Sequence, residues 1–490
     1  MSRSCLALSL ICSPLLLAAC GSASELGDTA ELGEARAALS SAPVDLLAVD
    51  LIAVGTLSGF GADRSEATAG PLENGVAGNL LGGVGSGIGY AGGTTFLAVP
   101  DRGPNAVSYN ALVDDTTSYI NRFQTFRLQL ERAGHDAALP FVLTPELVDT
   151  TLLYSRQPLV YGSGADAGLG SGAPALNRRH QHFFVGRSDN FDPALPSTDP
   201  LAARFDPESV RVSNDGRHLF ISDEYGPYVY EFDRASGRRV RVFGVPSPLG
   251  VSSLRAQGAL EISDNRTGRV ANKGMEGLAI TPDGTTLVGA MQSPLLQDGG
   301  TAAAFVRIVT ISISDGATAE YAYPLTNIGS ADKPKLTGIS EIVAVNDHEF
   351  LIDERDGAGL GDDSTASFKR LFRIDLSDAS DVTGLSGAAD LELAAVQKTL
   401  FLDVVAALET HGFAAQDIPA KIEGLAFGPD VSLRGELVHT LFVTNDNDFF
   451  PTVVDTNHPG GIDNPNRFFV FAVTDAALPD FEPQRFRRGH

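Results

Sequence analysis

The chain has 490 residues, with 61 acidic against 36 basic side chains and a formal net charge of −25. Such a charge makes nucleic acids and anionic membrane surfaces poor partners. Two of the three cysteines, Cys5 and Cys12, fall within a predicted leader, so the mature chain keeps one. That count excludes an internal disulfide, a thiolate zinc site and a cysteine nucleophile.

Residues 1–19 have the pattern of a secretory leader, in which a single basic residue, Arg3, precedes an apolar run and several small residues. The apolar run is too short for a helix that spans a membrane. It ends in Leu-Ala-Ala-Cys at 17–20, which resembles a bacterial lipobox. We therefore expect a lipoprotein signal peptide over 1–19 and lipid attachment at Cys20. A plain secretory leader with an incidental cysteine is the alternative.

The lipidated cysteine and a flexible tether are expected over 20–45, because this stretch is rich in Ala, Ser, Gly and acids and lacks aromatic residues. In bacterial lipoproteins the residue after the lipidated cysteine influences sorting. Gly21 in that position implies the outer membrane. The resemblance thus implies a protein of the bacterial cell envelope, attached to the membrane through its N-terminal lipid only.

A strand-turn-strand unit with acidic residues at both ends recurs along the rest of the chain. Its four clear copies span residues 206–226, 274–292, 338–357 and 422–448, and a fainter relative spans 85–103. The fainter relative begins with Ser86, where the clear copies carry a glutamate: Glu208, Glu276, Glu341 and Glu423. Recurrence at this scale predicts an array of similar modules.

The copy at 206–226 shows how each unit forms a β-hairpin. Residues 209–212 alternate side chains, Asn-Asp-Gly at 214–216 suits a tight turn, and Leu-Phe-Ile at 219–221 is a β-prone return strand. Antiparallel pairing then brings Glu208 to the same end of the hairpin as Asp223 and Glu224. Every module is therefore expected to present its polar ends at one rim.

These modules predict an all-β fold, a β-propeller of six or seven blades with long loop insertions, because radial closure removes free sheet edges. The glutamates are 68, 65 and 82 residues apart, more than the roughly 40–45 residues of a minimal blade. The gap of 122 positions from Ser86 to Glu208 would hold a degenerate blade or a long excursion. A β-sandwich and a parallel β-solenoid remain as alternatives.

The propeller is expected over residues 46–480, followed by a C-terminal tail over 481–490. The strand at 467–473 should close the ring by pairing with the opening strand near 46–54. Apolar residues fall at helical spacing around 389–410, which predicts one helix inserted between modules.

Acids at the module ends would form a hard-oxygen site, which suits Ca²⁺ better than zinc or copper. The candidate calcium ligands stand at or just after the return strands: Asp223, Glu224, Asp353, Glu354, Asp446 and Asp448. As an alternative, these acids cap strands and pair with Arg355, Lys421 or backbone amides.

Cations stand beside these acids. Arg102 follows Asp101, Lys273 precedes Glu276 by three residues, and Arg355 follows Glu354. Cations next to metal-bound carboxylates are what phosphoryl chemistry needs, because they neutralise phosphate oxygens. The alternative is that each cation only neutralises its acidic neighbour.

The ordered pieces of the chain resemble a family called phytase-like, with "esterase-like activity of phytase". The pieces are Asp-Pro-Glu-Ser-Val at 206–210, Ser-Asp-Glu-Tyr-Gly-Pro at 222–227, Lys-Gly-Met-Glu-Gly-Leu-Ala at 273–279, Glu-Arg-Asp at 354–356, Ile-Glu-Gly-Leu-Ala at 422–426 and Asn-Asp-Asn-Asp at 445–448. The resemblance spans about 46–473. It implies a secreted or surface-attached propeller that acts on phosphate esters, with phytate the substrate suggested by the family name.

We expect metal-assisted hydrolysis of a small-molecule phosphomonoester by a monomeric chain. Glu208 or Glu276 would orient or deprotonate water, and calcium would bind phosphate oxygens. The predicted substrate-binding residues are Arg102, Lys273, Arg355 and Glu423. Two other functions remain open: a non-enzymatic propeller that binds a ligand or partner, and a calcium-dependent lactonase or carboxylesterase.

Overall fold

The computed structural model describes residues 47–487, which form a five-bladed β-propeller. The predicted leader, Cys20 and the tether lie outside the described residues. The first strand, β1 (Val49–Leu57), is the outermost strand of the last blade. From the channel outward, the first blade comprises β2 (Gly87–Tyr90), β3 (Thr95–Val99), β4 (Arg122–Arg132) and β5 (Phe141–Leu152).

The second blade carries two extra short strands at its outer edge, β6 (Tyr154–Ser155) and β7 (His182–Phe183). Its four main strands, again from the channel outward, are β8 (Pro207–Val212), β9 (His218–Asp223), β10 (Tyr228–Asp233) and β11 (Arg238–Phe243). A short helix, α1 (Gly258–Asp264), lies in the connection to the third blade.

The remaining three blades follow the same inner-to-outer order. The third comprises β12 (Met275–Ile280), β13 (Thr286–Met291), β14 (Phe305–Ser312) and β15 (Thr318–Pro324). The fourth comprises β16 (Gly338–Ala344), β17 (Glu349–Arg355), β18 (Lys369–Asp375) and β19 (Lys398–Asp403), with helices α2 (Ala388–Ala394) and α3 (Val404–Thr410) on either side of β19. The fifth comprises β20 (Lys421–Phe427), β22 (Glu436–Asp446), β25 (Asn466–Val473) and β1, with β21 (Val431–Leu433) paired to β22; β23 (Thr452–Val453) and β24 (Ile462–Asp463) form a separate hairpin.

The ring closes as the sequence predicts, because the opening and terminal strands pair. β1 runs antiparallel to β25, from Val49 opposite Val473 to Leu57 opposite Asn466. The five inner strands also contact one another around the channel, in the order β2, β8, β12, β16, β20 and back to β2. The N-terminal strand β1 therefore supplies the fourth strand of the last blade, whose other three main strands come from the C-terminal part of the chain.

The predicted count of six or seven blades is wrong. The stretch between Ser86 and Glu208 holds no further blade, because the four strands of the first blade, β2 to β5, the edge strands β6 and β7 of the second blade and their loops fill it. A narrow ring also explains glycine in the inner strands. A Cβ at Gly87 would lie 2.5 Å from the Glu208 carbonyl oxygen, and one at Gly277 would lie 2.8 Å from the Ile342 nitrogen.

The single helix predicted over 389–410 is also wrong. The structure has α2 and α3, with the strand β19 between them. β19 pairs with β18 as the outer edge of the fourth blade, from Arg370 opposite Asp403 to Ile374 opposite Lys398. Pairing with an existing sheet edge overrides the helical pattern of the intervening residues.

Apolar faces of neighbouring blades form the core. On β17, Ile352 packs into a cluster with Ile308 of the third blade, whereas Leu351 packs into a cluster with Phe469 of the fifth. Successive residues of a strand therefore face opposite neighbours. The same alternation directs Glu354 toward the third blade and Arg355 toward the fifth.

Residues 481–487, the described part of the predicted C-terminal tail, cross the end of the channel where the inner strands finish. The backbone nitrogens of Glu482, Arg485 and Arg487 donate to the carbonyls of Val345, Pro282 and Asn214, at 2.8, 3.0 and 2.7 Å. These carbonyls belong to the fourth, third and second blades. Within residues 47–487, no helix has the length and apolar character needed to cross a lipid bilayer.

Candidate active site

The inner strands begin at one end of the channel, and three of them bring a glutamate there. Glu208 on β8, Glu276 on β12 and Glu423 on β20 are 6%, 4% and 5% exposed. Glu276 lies close enough to Glu208 and to Glu423 for their negative charges to repel. With their neighbours they form what we call the acidic mouth: Asp101, Asp206, Glu208, Glu224, Glu276, Glu423, Asp446 and Asp448.

Glu341 does not belong to the acidic mouth, so its expected place beside the other three glutamates is wrong. In the other copies the aspartate of the turn follows the glutamate by seven residues, as Asp215 follows Glu208. In the fourth blade the residue seven before Asp347 is Ser340, and Glu341 is one step further into the strand. Glu341 therefore points into the middle of the channel, where its Oε2 lies 3.0 Å from the Arg211 Nη2.

Glu276 and Glu208 are the strongest candidates for acid–base work. The Gln292 Nε2 donates to the Glu276 Oε1 at 2.7 Å, while the Glu276 Oε2 has no hydrogen-bond partner among the described residues. Burial, then repulsion from Glu224 and Glu423, raises the pKa of Glu276 well above its ordinary value. Burial and repulsion from Glu276 do the same to the pKa of Glu208. A raised pKa of this kind favours the protonated carboxyl over the carboxylate, and a bound cation would reverse that preference.

Three carboxylates of the acidic mouth could hold a cation together. One oxygen from each of Asp206, Glu208 and Glu224 lies within 4.8 Å of the others. These all-oxygen donors suit a hard cation such as Ca²⁺. The unpartnered Glu276 Oε2 beside them is a buried polar atom of the kind that calls for a further partner. The residues present therefore fit a divalent cation.

Two predicted calcium ligands lie outside the acidic mouth and have other partners. The Asp223 carboxylate accepts hydrogen bonds from the backbone nitrogens of Asp206, Tyr225 and Gly226, at 2.8, 3.2 and 2.7 Å. It holds the turn after β9. The Glu354 carboxylate faces the third blade and accepts from the Tyr323 hydroxyl at 2.6 Å.

Glu354 also accepts from the Thr326 backbone nitrogen, the Thr337 hydroxyl and the Lys398 ammonium. Asp353 is fully buried opposite Glu341, and neither of its oxygens has a hydrogen-bond partner among the described residues. Burial raises the pKa of Asp353 well above its ordinary value. It lies one step below the acidic mouth, so of the six predicted ligands Glu224, Asp446 and Asp448 reach the mouth itself.

Most cations at the acidic mouth are already paired with acids. The Arg102 Nη1 lies 2.6 Å from Asp206, and the Arg355 Nη2 donates to Glu423. The Lys421 ammonium contacts Asp448 and lies 3.2 Å from Asp446. These cations are neutralised by acids, but Arg102 and Arg355 pair with Asp206 and Glu423 rather than with their sequence neighbours.

Lys273 differs from these paired cations. Its ammonium donates to the Gln292 Oε1 at 2.9 Å, and the described residues offer it no carboxylate at ion-pair distance. Of the cations predicted to bind substrate, Lys273 is therefore the one whose charge is left for an anion.

Asp206 and Asp101 belong to the site, although the sequence motifs did not single them out. Asp206 is fully buried and accepts from both the backbone and the guanidinium of Arg102. Its place two residues before Glu208, in Asp-Pro-Glu, was the available signal. Burial, then repulsion from Asp446, raises the pKa of Asp101 well above its ordinary value.

Comparison with known proteins gives one curated relative and several distant structures. An uncharacterized secreted protein of Arthroderma benhamiae is 39% identical over 108 residues, which cover 19% of this chain and 21% of that protein. The alignment thus spans about a fifth of the relative's length.

Two solved structures are similar at low identity. A Pseudomonas aeruginosa periplasmic gluconolactonase, PpgL, is 11% identical with a TM-score of 0.32, covering 87% of this chain and 99% of that one. A putative 6-phosphogluconolactonase from Bacteroides uniformis is 14% identical with a TM-score of 0.29, covering 85% and 97%. Similarity at this level carries no information on activity.

The family described as "Phytase-like: Esterase-like activity of phytase" matches residues 79–449. This range holds the inner strands of all five blades and every residue of the acidic mouth. The chain belongs to the phytase-like family, described by an esterase-like activity of phytase.

Proposed function

We propose that this protein hydrolyses phosphate monoesters at the acidic mouth, assisted by a divalent cation, with Ca²⁺ the first candidate. The observation that carries the proposal is the buried pair Glu208 and Glu276, whose pKa values are raised well above the ordinary range beside cationic side chains. Perturbed carboxyls in a cleft are typical of catalytic acids and bases. Membership of the phytase-like family supports the same reaction class.

Asp206, Glu208 and Glu224 would hold the cation, because their oxygens converge within 4.8 Å. When bound, a divalent cation supplies positive charge that polarises a phosphoryl oxygen. Of the six ligands expected from the sequence, this set keeps Glu224, and it adds Asp206 and Glu208. Asp223 and Glu354 do not converge with these three and bind neighbouring hydrogen-bond donors instead.

Glu276 would carry the proton transfers, while Glu208 would stay ionised as a ligand of the cation. Gln292 fixes one oxygen of Glu276 and leaves the Oε2 free to accept a proton from the attacking water. Glu276 would then pass that proton to the leaving alkoxide as the ester P–O bond breaks. Repulsion from the neighbouring carboxylates raises the pKa of Glu276, which suits it to accept a proton.

The other charged residues would position the substrate rather than react. Glu423 orients Arg355, whose Nε also donates to the Ser340 hydroxyl at 2.7 Å. Asp206 holds Arg102 in the same way from the opposite side. Guanidinium groups anchored like this can approach phosphate oxygens without losing a favourable rotamer.

The proposal also places the protein in the bacterial cell envelope as a monomer, attached by a lipid on Cys20. The secreted curated relative supports an extracellular or envelope location. Radiolabelled palmitate in the wild type but not in Cys20→Ser, with the wild type in the outer-membrane fraction, is the expected result. Release of the wild-type chain in soluble form, without label, would contradict the anchor.

Phosphate release is the direct test of the activity. We expect the mature protein to release phosphate from phytate or p-nitrophenyl phosphate, to lose this activity in EDTA, and to regain it with Ca²⁺. Parallel assays with a gluconolactone and p-nitrophenyl acetate serve as the control for ester type. Turnover of the lactone or acetate without phosphate release, or no turnover with any divalent cation, would contradict the proposal.

A further inference from the structure

A second cleft lies beside the acidic mouth, between the third and fourth blades. Its volume is about 250 Å³, several times the roughly 30 Å³ that one water occupies in the liquid. Six polar side chains that matter for its chemistry line it: Lys273, Gln292, Lys335, Thr337, Ser340 and Arg355. We call it the blade 3–4 cleft.

The blade 3–4 cleft and the acidic mouth share their border residues. Gln292 accepts from Lys273 inside the cleft and donates to Glu276 in the mouth. Arg355 lines the cleft while its Nη2 donates to Glu423. A group bound in the cleft would therefore lie next to the carboxylates proposed to react.

The charge of this cleft is opposite to that of the mouth. Lys273 is half-buried, Lys335 is exposed at the edge of the cleft, and within residues 47–487 neither ammonium has a carboxylate at ion-pair distance. Asp356, the acid in the lining, is neutralised by the Lys369 ammonium at 2.6 Å. The Ser367 hydroxyl also donates to Asp356 at 2.6 Å. The cleft thus has two uncompensated positive charges.

Two uncompensated ammonium groups that line one cleft attract an anion into it more strongly than either would alone. The Ser340 hydroxyl, which accepts from Arg355, and the Gln292 amide add neutral hydrogen-bond donors to the lining. Several donors around a compact space suit a tetrahedral oxyanion. The carboxylates of the acidic mouth would repel the same anion, so the anion would bind in the cleft.

We propose that the blade 3–4 cleft is a phosphate-binding subsite, in which Lys273 and Lys335 hold a phosphate group of the substrate. The assignment of that phosphate to a substrate rests on the proposed function, whereas the binding itself does not. Lys335 is the new member of the site. It lies 59 residues beyond Glu276 in the chain, in the loop before β16.

Binding can be measured without turnover. Calorimetric titration of the mature protein with phytate and with inorganic phosphate, in EDTA, avoids any contribution from a metal. We expect Lys273→Met and Lys335→Met each to weaken phytate binding by about tenfold, since a hydrogen bond to a charged group contributes about that factor. Lys333→Met is the matched control, because Lys333 is an exposed lysine of the same loop that does not line the cleft.

The outcomes separate this inference from the proposed function. Lysine-dependent binding of phytate in a protein that releases no phosphate would uphold the subsite and remove the phosphatase. Phosphate release that persists while all three lysine variants bind phytate as the wild type does would remove the subsite alone. Absence of phytate and phosphate binding at millimolar concentration would also overturn the subsite. Thermal unfolding of each variant checks that the fold is intact.

Discussion

The Arg211 Nη2 and the Glu341 Oε2 lie 3.0 Å apart in the centre of the channel, both almost fully buried. Arg211 also donates to the carbonyls of Ile88 and Leu425, at 2.6 and 3.2 Å, in the first and fifth blades. Glu341 accepts from the Leu278 backbone nitrogen of the third blade at 3.0 Å. One ion pair thus contacts the inner strands of all five blades and separates the acidic mouth from the other end of the channel.

Breaking this pair should destabilise the ring. Removing one partner of a buried ion pair leaves the other charge unpaired, at a cost of about 3–5 kcal/mol. We expect Glu341→Ala to lower the free energy of unfolding in urea by that amount. Glu131→Ala, at an exposed position of β4, should change it by less than about 0.5 kcal/mol.

The double variant Arg211→Met with Glu341→Gln removes both charges at once. It should recover much of the loss, because no buried charge is then left without a partner. If Glu341→Ala unfolds at the same urea concentration as the wild type, the pair does not support the ring.

Stability should fall as the pH rises in the absence of divalent cations. Burial raises the pKa of Glu341 to about 7, that of Glu423 to about 7 and that of Asp206 to about 6. In the unfolded chain these groups titrate near 4, so between about pH 4.5 and 7 the folded state binds more protons. The free energy of unfolding then decreases with pH across that window.

Urea denaturation at pH 5, 6, 7 and 8 in EDTA checks this slope. Added Ca²⁺ should flatten it, since a bound cation stabilises the ionised carboxylates of the mouth. A rise in stability between pH 5 and pH 7 in EDTA would contradict the raised pKa values.

Calcium affinity should distinguish the acidic mouth from the ligands expected from sequence. We expect Glu208→Gln to weaken Ca²⁺ binding at least tenfold, because it removes one of three converging carboxylates. Asp223→Asn should leave the affinity within about twofold, since the Asp223 oxygens accept backbone nitrogens instead. Calorimetric titration at low temperature, where both variants are folded, is the measurement. Equal losses in the two variants would contradict the assignment.

The hairpin pattern correctly predicted the propeller and the convergence of Glu208, Glu276 and Glu423, because local pairing places the glutamate at the same end of each of these modules. The ring closure was correctly predicted from the free edges of the opening and terminal strands. The number of copies of the unit, four clear and one fainter, also equals the number of blades. The expected extra blades came from the length of the gap before Glu208, and length alone does not distinguish long outer strands such as β4 and β5 from a further blade.

The misplaced residues depend on details that a motif does not show. Glu341 was aligned by residue type, although the distance to its turn aspartate, six residues instead of seven, indicates a different register. Glu354 and Arg355 are neighbours in sequence but face different blades. Arg102 and Asp206 are 104 residues apart in the chain and belong to different blades. The sequence of a single module therefore could not reveal their contact.

The central claim is that Glu276 takes part in phosphate ester hydrolysis at the acidic mouth. The most direct measurement is the kcat for phosphate release from phytate or p-nitrophenyl phosphate by the wild type, Glu276→Gln and the exposed control Glu131→Gln. Loss of a general base should lower kcat about 10²- to 10⁴-fold in Glu276→Gln, with the control unchanged and both variants folded. A Glu276→Gln protein that turns over as fast as the control would contradict the account.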